Sequence, residues 1–143
     1  MNVKAILAAK GGDILSIEPT ADLAAAAKLL STHRIGAVII RGAGGRLAGI
    51  LSERDIVRAL AEHGAAALDL PVGQVMTRNV ATCGEEDIVA SIMERMTAGK
   101  FRHMPVVEND KLIGLISIGD VVKQRVEEVE RESEAIRDYI RTA

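Results

Sequence analysis

A short phrase closes each half of the chain: Gly49-Ile50-Leu51-Ser52-Glu53-Arg54-Asp55 in the first, Gly114-Leu115-Ile116-Ser117-Ile118-Gly119-Asp120 in the second. Self-similarity at a fixed period means that one supersecondary unit has been built twice, each copy needing a neighbour to cover its apolar face. Upstream, Ile14, Ser16, Ile17 and Leu23 stand opposite Val80, Thr82, Cys83 and Val89, always 66 residues apart. Gly49 and Gly114, Ser52 and Ser117, and Asp55 and Asp120 are 65 apart, so copy one holds one extra residue in between. The loop Gly42-Ala43-Gly44-Gly45 accounts for it, where Asn109-Asp110 makes a tighter hairpin turn in copy two.

Each copy reads as β-α-β-β-α. In copy one, Ile14 to Ile17 is expected as a strand, and Pro19 and Thr20 as the start of an alanine-rich helix running to about Thr32. Ile35 to Arg41 and Leu47 to Ser52 are apolar runs of strand length, and a helix then runs to about His63. In copy two the matching expectations are a strand over Val80 to Cys83, a helix from Glu85 to Gly99, a hairpin over Phe101 to Glu108 and Lys111 to Ser117, and a long helix from Gly119. Glu85, Glu86 and Asp87 suit a helix start because acidic groups face its positive dipole end. Gly64 to Pro71 links the copies, Val72 to Met76 is a helical turn packed on the core, and Val3 to Ala9 is its counterpart before copy one.

At 143 residues both copies fit without disulfide or metal support. The net charge of -2, from 18 basic and 20 acidic residues, offers no footprint for nucleic acid or an anionic membrane. One Phe, one Tyr and no Trp are too few for a base-stacking platform. Apolar runs such as Ala21 to Leu30 are too short to span a bilayer, and the N-terminus lacks a signal-peptide core, so the chain is expected in the cytoplasm. Cys83, the single cysteine, is expected to be buried and inert.

The repeated phrase, the Phe101-Arg102-His103-Met104-Pro105-Val106-Val107 segment and the linker Val75-Met76-Thr77 together resemble the cystathionine β-synthase (CBS) domain family, arranged as a tandem pair. The resemblance implies an α/β (α+β) fold with CBS units over residues 3–65 and 72–126, packed in pseudo-two-fold fashion, and a helical extension over 127–143. It also implies a regulatory module, not an enzyme, that holds an adenine nucleotide in clefts between the units. AMP is the first choice; ATP, ADP, NAD(H) and S-adenosylmethionine are compatible. The alternative is a ligand-independent assembly scaffold.

Residue chemistry fits that reading. A Ser and an Asp three residues apart at a strand-to-helix junction can face one solvent-lined cleft, where a carboxylate accepts hydrogen bonds from a ribose diol. They are equally helix caps, the role for which Ser and Asp are preferred. Ser52 with Asp55 and Ser117 with Asp120 fill these positions, with Ile118 between the second pair. Arg54, Arg102 and His103 are candidate phosphate contacts, though Arg102 could equally pair with a surface acid and His103 sit satisfied inside. By the family resemblance, Ser16-Ile17 and Thr82-Cys83 would contact base or phosphate, and Ile35, Gly36, Ala37 and Val38 with Met104 and Pro105 would wall the purine. Gly36-Ala37 against Arg102-His103 makes the two clefts unequal. Lys10-Gly11-Gly12 is too short for a P-loop and reads as a surface turn. His33, His63 and His103 have no metal-ligand spacing, and Ser31-Thr32-His33 lacks a hydrolase setting.

After Asp120, the residues Val122, Val126, Val129, Ser133, Ile136 and Ile140 recur at alternating steps of four and three, a narrow apolar stripe on an otherwise charged helix. It either meets a second subunit or folds back on the pair. The expected partners are therefore an adenine nucleotide, a second copy through the CBS faces and this helix, and an unidentified regulated protein, with neither nucleic acid nor membrane.

Overall fold

The computed structural model describes residues 1–11 and 13–142; Gly12 of the Lys10-Gly11-Gly12 turn and Ala143 of the expected extension lie outside the described residues. The chain forms two compact units, one of residues 13–81 with 110–112, the other of residues 1–11, 82–109 and 113–142. Each unit thus combines the body of one sequence copy with the leading segment of the other.

In the first-copy unit, β1 (Ser16–Ile17) pairs in parallel with β2 (Ala37–Arg41), which pairs antiparallel with β3 (Leu47–Ser52), placing Ala37 opposite Ser52. Helix α2 (Leu23–His33) follows β1 and α3 (Glu53–His63) follows β3. Val38, Ile40 and Leu51 are fully buried with Leu23, Ala26, Leu30, Ala59 and Val72 in one aliphatic core. This burial explains the continuous apolar runs of the inner strands. The extra residue of this copy sits where Gly44 and Gly45 take φ of 73° and 76°, beside a register shift at Ile40/Arg41.

In the second-copy unit, α1 (Val3–Lys10), α5 (Val89–Gly99), the β4 (His103–Glu108) and β5 (Lys111–Ser117) hairpin and α6 (Ile118–Thr142) bury Ile6, Ile92, Met96, Met104, Ile116 and Val121. Asn109 and Asp110, at φ of 50° and 63°, form the tight turn. The helical turn expected over Val72 to Met76 is α4 (Val72–Val75), and its Val72 is fully buried.

The leading segments explain where sequence expectation and structure part. The Pro19 and Ala21 carbonyls accept from Gly73 N (3.0 Å) and Val72 N (2.8 Å), so they cannot open a helix; α2 begins at Leu23, capped by Asp22, not at Pro19-Thr20. At the equivalent positions, the Glu85 and Asp87 carbonyls accept from Lys4 N (3.0 Å) and Val3 N (2.9 Å). The run Glu85 to Asp87 is accordingly a turn, and α5 begins at Val89. The strand expected over Val80 to Cys83 shrinks to one parallel bridge, Cys83 to Val106. Cys83 N donates to the Pro105 carbonyl (3.0 Å) and its own carbonyl accepts from Val107 N (2.8 Å), but Pro105 has no N–H to carry the ladder back. Copy one has Ile39 there and keeps two paired residues. Ile14 and Leu15 lie outside β1, and β2 and β4 start two residues later than Ile35 and Phe101.

The exchanged leaders also account for the repeated glycines. A Cβ on Gly49 would lie 2.6 Å from the Thr77 carbonyl oxygen, and one on Gly114 would lie 2.5 Å from Leu7 Cδ2. Only glycine lets the leader approach so closely.

Candidate functional site

Both Ser-x-x-Asp pairs sit where a β-hairpin hands over to a helix, and their backbones are near replicas. Ser52 N donates to Asp55 Oδ2 at 2.9 Å, and Ser117 N to Asp120 Oδ2 at 2.9 Å. The return bonds run from Asp55 N to Ser52 Oγ (3.4 Å) and from Asp120 N to Ser117 Oγ (3.2 Å), the reciprocal pattern of a capping box. Glu53 N donates to the Gly36 carbonyl (3.0 Å) and Ile118 N to the Arg102 carbonyl (2.8 Å), so each helix start is tied to the segment entering the preceding strand.

The two carboxylates differ in what surrounds them. Asp55 has only 4% of its side chain exposed; Arg58 Nη2 donates to Oδ1 at 2.6 Å, and Thr77 Oγ1 lies 3.2 Å from the same oxygen. With Ser52 on Oδ2, the carboxylate has its acceptor positions filled. The expectation that Asp55 faces a solvent-lined cleft is corrected: its charge is spent on capping α3 and holding Thr77. Asp120 keeps 25% of its side chain exposed, and Lys10 Nζ donates to Oδ2 at 2.7 Å and to the Leu115 carbonyl at 2.8 Å. Partial burial works to raise the Asp120 pKa, but the Lys10 hydrogen bond, the Ser117 amide and the Lys10 charge outweigh it and hold the carboxyl below its ordinary value.

The second-copy unit also carries Thr82, Arg102, His103, Ser117 and Ile118. Arg102 is exposed, while Thr82, His103, Ser117 and Ile118 are half-buried. The Thr82 carbonyl accepts from Arg95 Nη2 at 2.9 Å. In the first-copy unit, Ser16 Oγ accepts from Arg41 Nε (3.1 Å), Ile17 and Gly36 are half-buried, and Arg54 is exposed. Ala37, Val38, Met104 and Pro105 are buried, and Val38 belongs to the core cluster, so the expected apolar walls lie in the interior of their units. Burial first, then Asp87, raise the Cys83 thiol pKa to about 12, which leaves it protonated and unreactive at neutral pH.

Lys10, Arg58 and Thr77 were not among the expected site residues. Lys10 and Asp120 are 110 residues apart, and only the exchange of leaders between copies brings them together. Among the described residues, no cluster of three or more His, Cys, Asp or Glu side chains is placed to hold a metal ion. No helix there is long and apolar enough to cross a membrane.

Duplicated helix-and-hairpin units, each with a Ser-x-x-Asp helix start, define a tandem-repeat protein. The CBS domain model matches residues 3–62 and 72–127, and the chain belongs to the CBS domain family. It is 35% identical over 119 residues to a mitochondrial CBS-domain-containing protein of Arabidopsis thaliana, CBSX3, covering 80% of this chain but 58% of that relative. A CBS-domain protein structure from Agrobacterium tumefaciens superposes with a TM-score of 0.84 at 47% identity, covering 87% of this chain and 92% of that one. Two further structures hold ligands. A CBS domain protein from Pyrobaculum aerophilum complexed with AMP matches at TM-score 0.74 and 28% identity, over 84% of this chain and 89% of its own. The CBS domain pair of protein MJ0100, in complex with 5′-methylthioadenosine and S-adenosyl-L-methionine, matches at 0.78 and 26%, over 90% and 98%.

Proposed function

We propose that the chain is a regulatory, non-catalytic module that reversibly binds an adenosine-type ligand, AMP being the first choice. The observation that carries this reading is the part-exposed Asp120 carboxylate, held ionised at a helix start. Such a group accepts hydrogen bonds from a ribose diol, the moiety common to AMP and S-adenosylmethionine. Lys10 spends two of its three N–H bonds on Asp120 and Leu115, which leaves one for an anion, and Arg102 and His103 add donors in the same unit. The likeness to structures holding AMP, methylthioadenosine and S-adenosylmethionine supports the ligand class.

Asp55 is already saturated, so the second-copy unit is the stronger ligand site, and polar contacts in the first-copy unit fall to Ser16 and Arg54. Ligand binding regulates a partner protein by favouring one arrangement of the chain over another, which requires different affinity for the two. The working form is a homodimer, with α6 as one contact surface, and the reduced thiol suits the cytoplasm. A thermal-shift panel of AMP, ATP, NAD and S-adenosylmethionine tests the reading. A concentration-dependent rise in Tm with at least one adenosine ligand, and none with ribose-free phosphates, is expected. No shift with any adenosine ligand would leave the scaffold reading in its place.

A further inference from the structure

Helix α6 turns one face inward and leaves the opposite face bare. Val121 and Gln124 are buried against its own unit, and Glu128, 20% exposed, pairs with the Met1 amine at 3.4 Å. On the other side Val122, Val126, Val129, Ile136 and Ile140 are 41%, 49%, 46%, 61% and 67% exposed. The stripe has not folded back, and its 3-4 spacing runs along a helix of 25 residues, about 37 Å at ~1.5 Å per residue.

The flanking charges specify what covers it. With Val126, Ser133 and Ile140 at a and Val122, Val129 and Ile136 at d, Arg125, Glu132 and Tyr139 occupy g, and Lys123, Glu130 and Arg137 occupy e. In a parallel, in-register pair each g residue meets the e residue five positions on in the other helix, which sets Arg125 against Glu130 and Glu132 against Arg137, twice each by symmetry. The antiparallel pairing over the whole seam sets Glu130 against Glu130, Glu132 against Glu132 and Lys123 against Arg137, so every pair between charged residues is repulsive, and Arg125 meets only Tyr139. Arg125 already holds Glu128 through Nη1 at 2.7 Å, but its fork has further donors for a second carboxylate. Branched side chains at d would admit a third strand, yet charge at every e and g position but Tyr139 keeps the stripe two positions wide, the width that two helices cover.

We infer that α6 pairs with α6 of a second copy of this chain as a parallel, in-register two-stranded coiled coil, with Ser133 facing Ser133. This rests on the reading that the stripe meets a second copy, and it adds the orientation. The test uses the full chain carrying Cys83→Ala and either Val122→Cys or Ile140→Cys. Each variant alone should oxidise to a cross-linked dimer, and sedimentation should give twice the chain mass. In a second arm, Glu132→Arg and Arg137→Glu should each weaken the dimer roughly tenfold, and the double exchange should restore it. Cross-linking only in a mixture of the two cysteine variants, or a tighter dimer with Arg137→Glu alone, overturns the orientation while leaving the second-copy reading intact. A trimer mass overturns the two-stranded pairing. A monomer at every concentration overturns both, and leaves the ligand reading to its own test.

Discussion

Lys10 Nζ lies 2.7 Å from Asp120 Oδ2, so the leading segment of the first copy supplies the counter-ion for the helix start of the second. At the equivalent place in the other unit, Asp55 takes a hydroxyl from Thr77 and a guanidinium from Arg58 on its own helix. One backbone scheme has thus been given two electrostatic roles: a closed cap at Asp55 and an accessible, ionised acceptor at Asp120.

Acid should reveal the Asp120 pairing. Its folded pKa lies below the ordinary Asp value, so its contribution to stability is present above the unfolded pKa of about 3.9 and is lost as pH falls through the folded value. In urea denaturation, Asp120→Asn should be less stable than the native chain at pH 7, and the gap should close below about pH 4. A gap unchanged between pH 7 and pH 3 would show that the carboxylate charge contributes nothing there.

Substitution of the two aspartates should separate stability from binding. Asp55→Ala strands the Ser52 amide, Thr77 and Arg58, and should cost about 2–3 kcal/mol in chemical denaturation. Asp120→Ala, at a more exposed position, should cost less stability and more ligand affinity. Equal losses of stability would contradict the difference in their surroundings.

The repeated glycines should not tolerate alanine equally. At Gly49 the obstacle is the Thr77 backbone oxygen, which pairs with Ile50 N at 3.0 Å and cannot swing aside; Gly49→Ala should cost roughly 2–3 kcal/mol. At Gly114 the obstacle is the tip of Leu7, which can change rotamer, so Gly114→Ala should cost less, and Leu7→Ala should relieve part of it. Denaturation midpoints of the three variants and the double variant give the comparison.

Cys83, with its thiol pKa raised to about 12, should react with a thiol reagent only as fast as the unit unfolds. Rapid labelling of the native protein at pH 7, without denaturant, would contradict that burial.

Much of this was legible in the repeat itself. Two periods, one glycine-rich insertion and the Ser-x-x-Asp phrases place both hairpins and the last helix; β3 and β5 fall on the residues expected, Leu47–Ser52 and Lys111–Ser117. What local sequence did not disclose depends on partners distant in the chain. Pro19-Thr20 and Glu85-Glu86-Asp87 carry helix-start chemistry, but their carbonyls are drawn into bonds with the leaders at 72–73 and 3–4. Asp55 and Asp120 occupy matching places in the repeated phrase, and the residues brought by the exchanged leaders, Thr77 and Lys10, together with Arg58 on α3, make one closed and the other accessible.

Titration calorimetry of the full chain with AMP, ATP, NAD and S-adenosylmethionine, repeated on Asp120→Ala and Asp55→Ala, tests the central claim most directly. Saturable heat is expected from at least one adenosine ligand, with an affinity loss of roughly tenfold or more in Asp120→Ala and a smaller loss in folded Asp55→Ala. No saturable heat from any of them, or an affinity indifferent to Asp120, would contradict it.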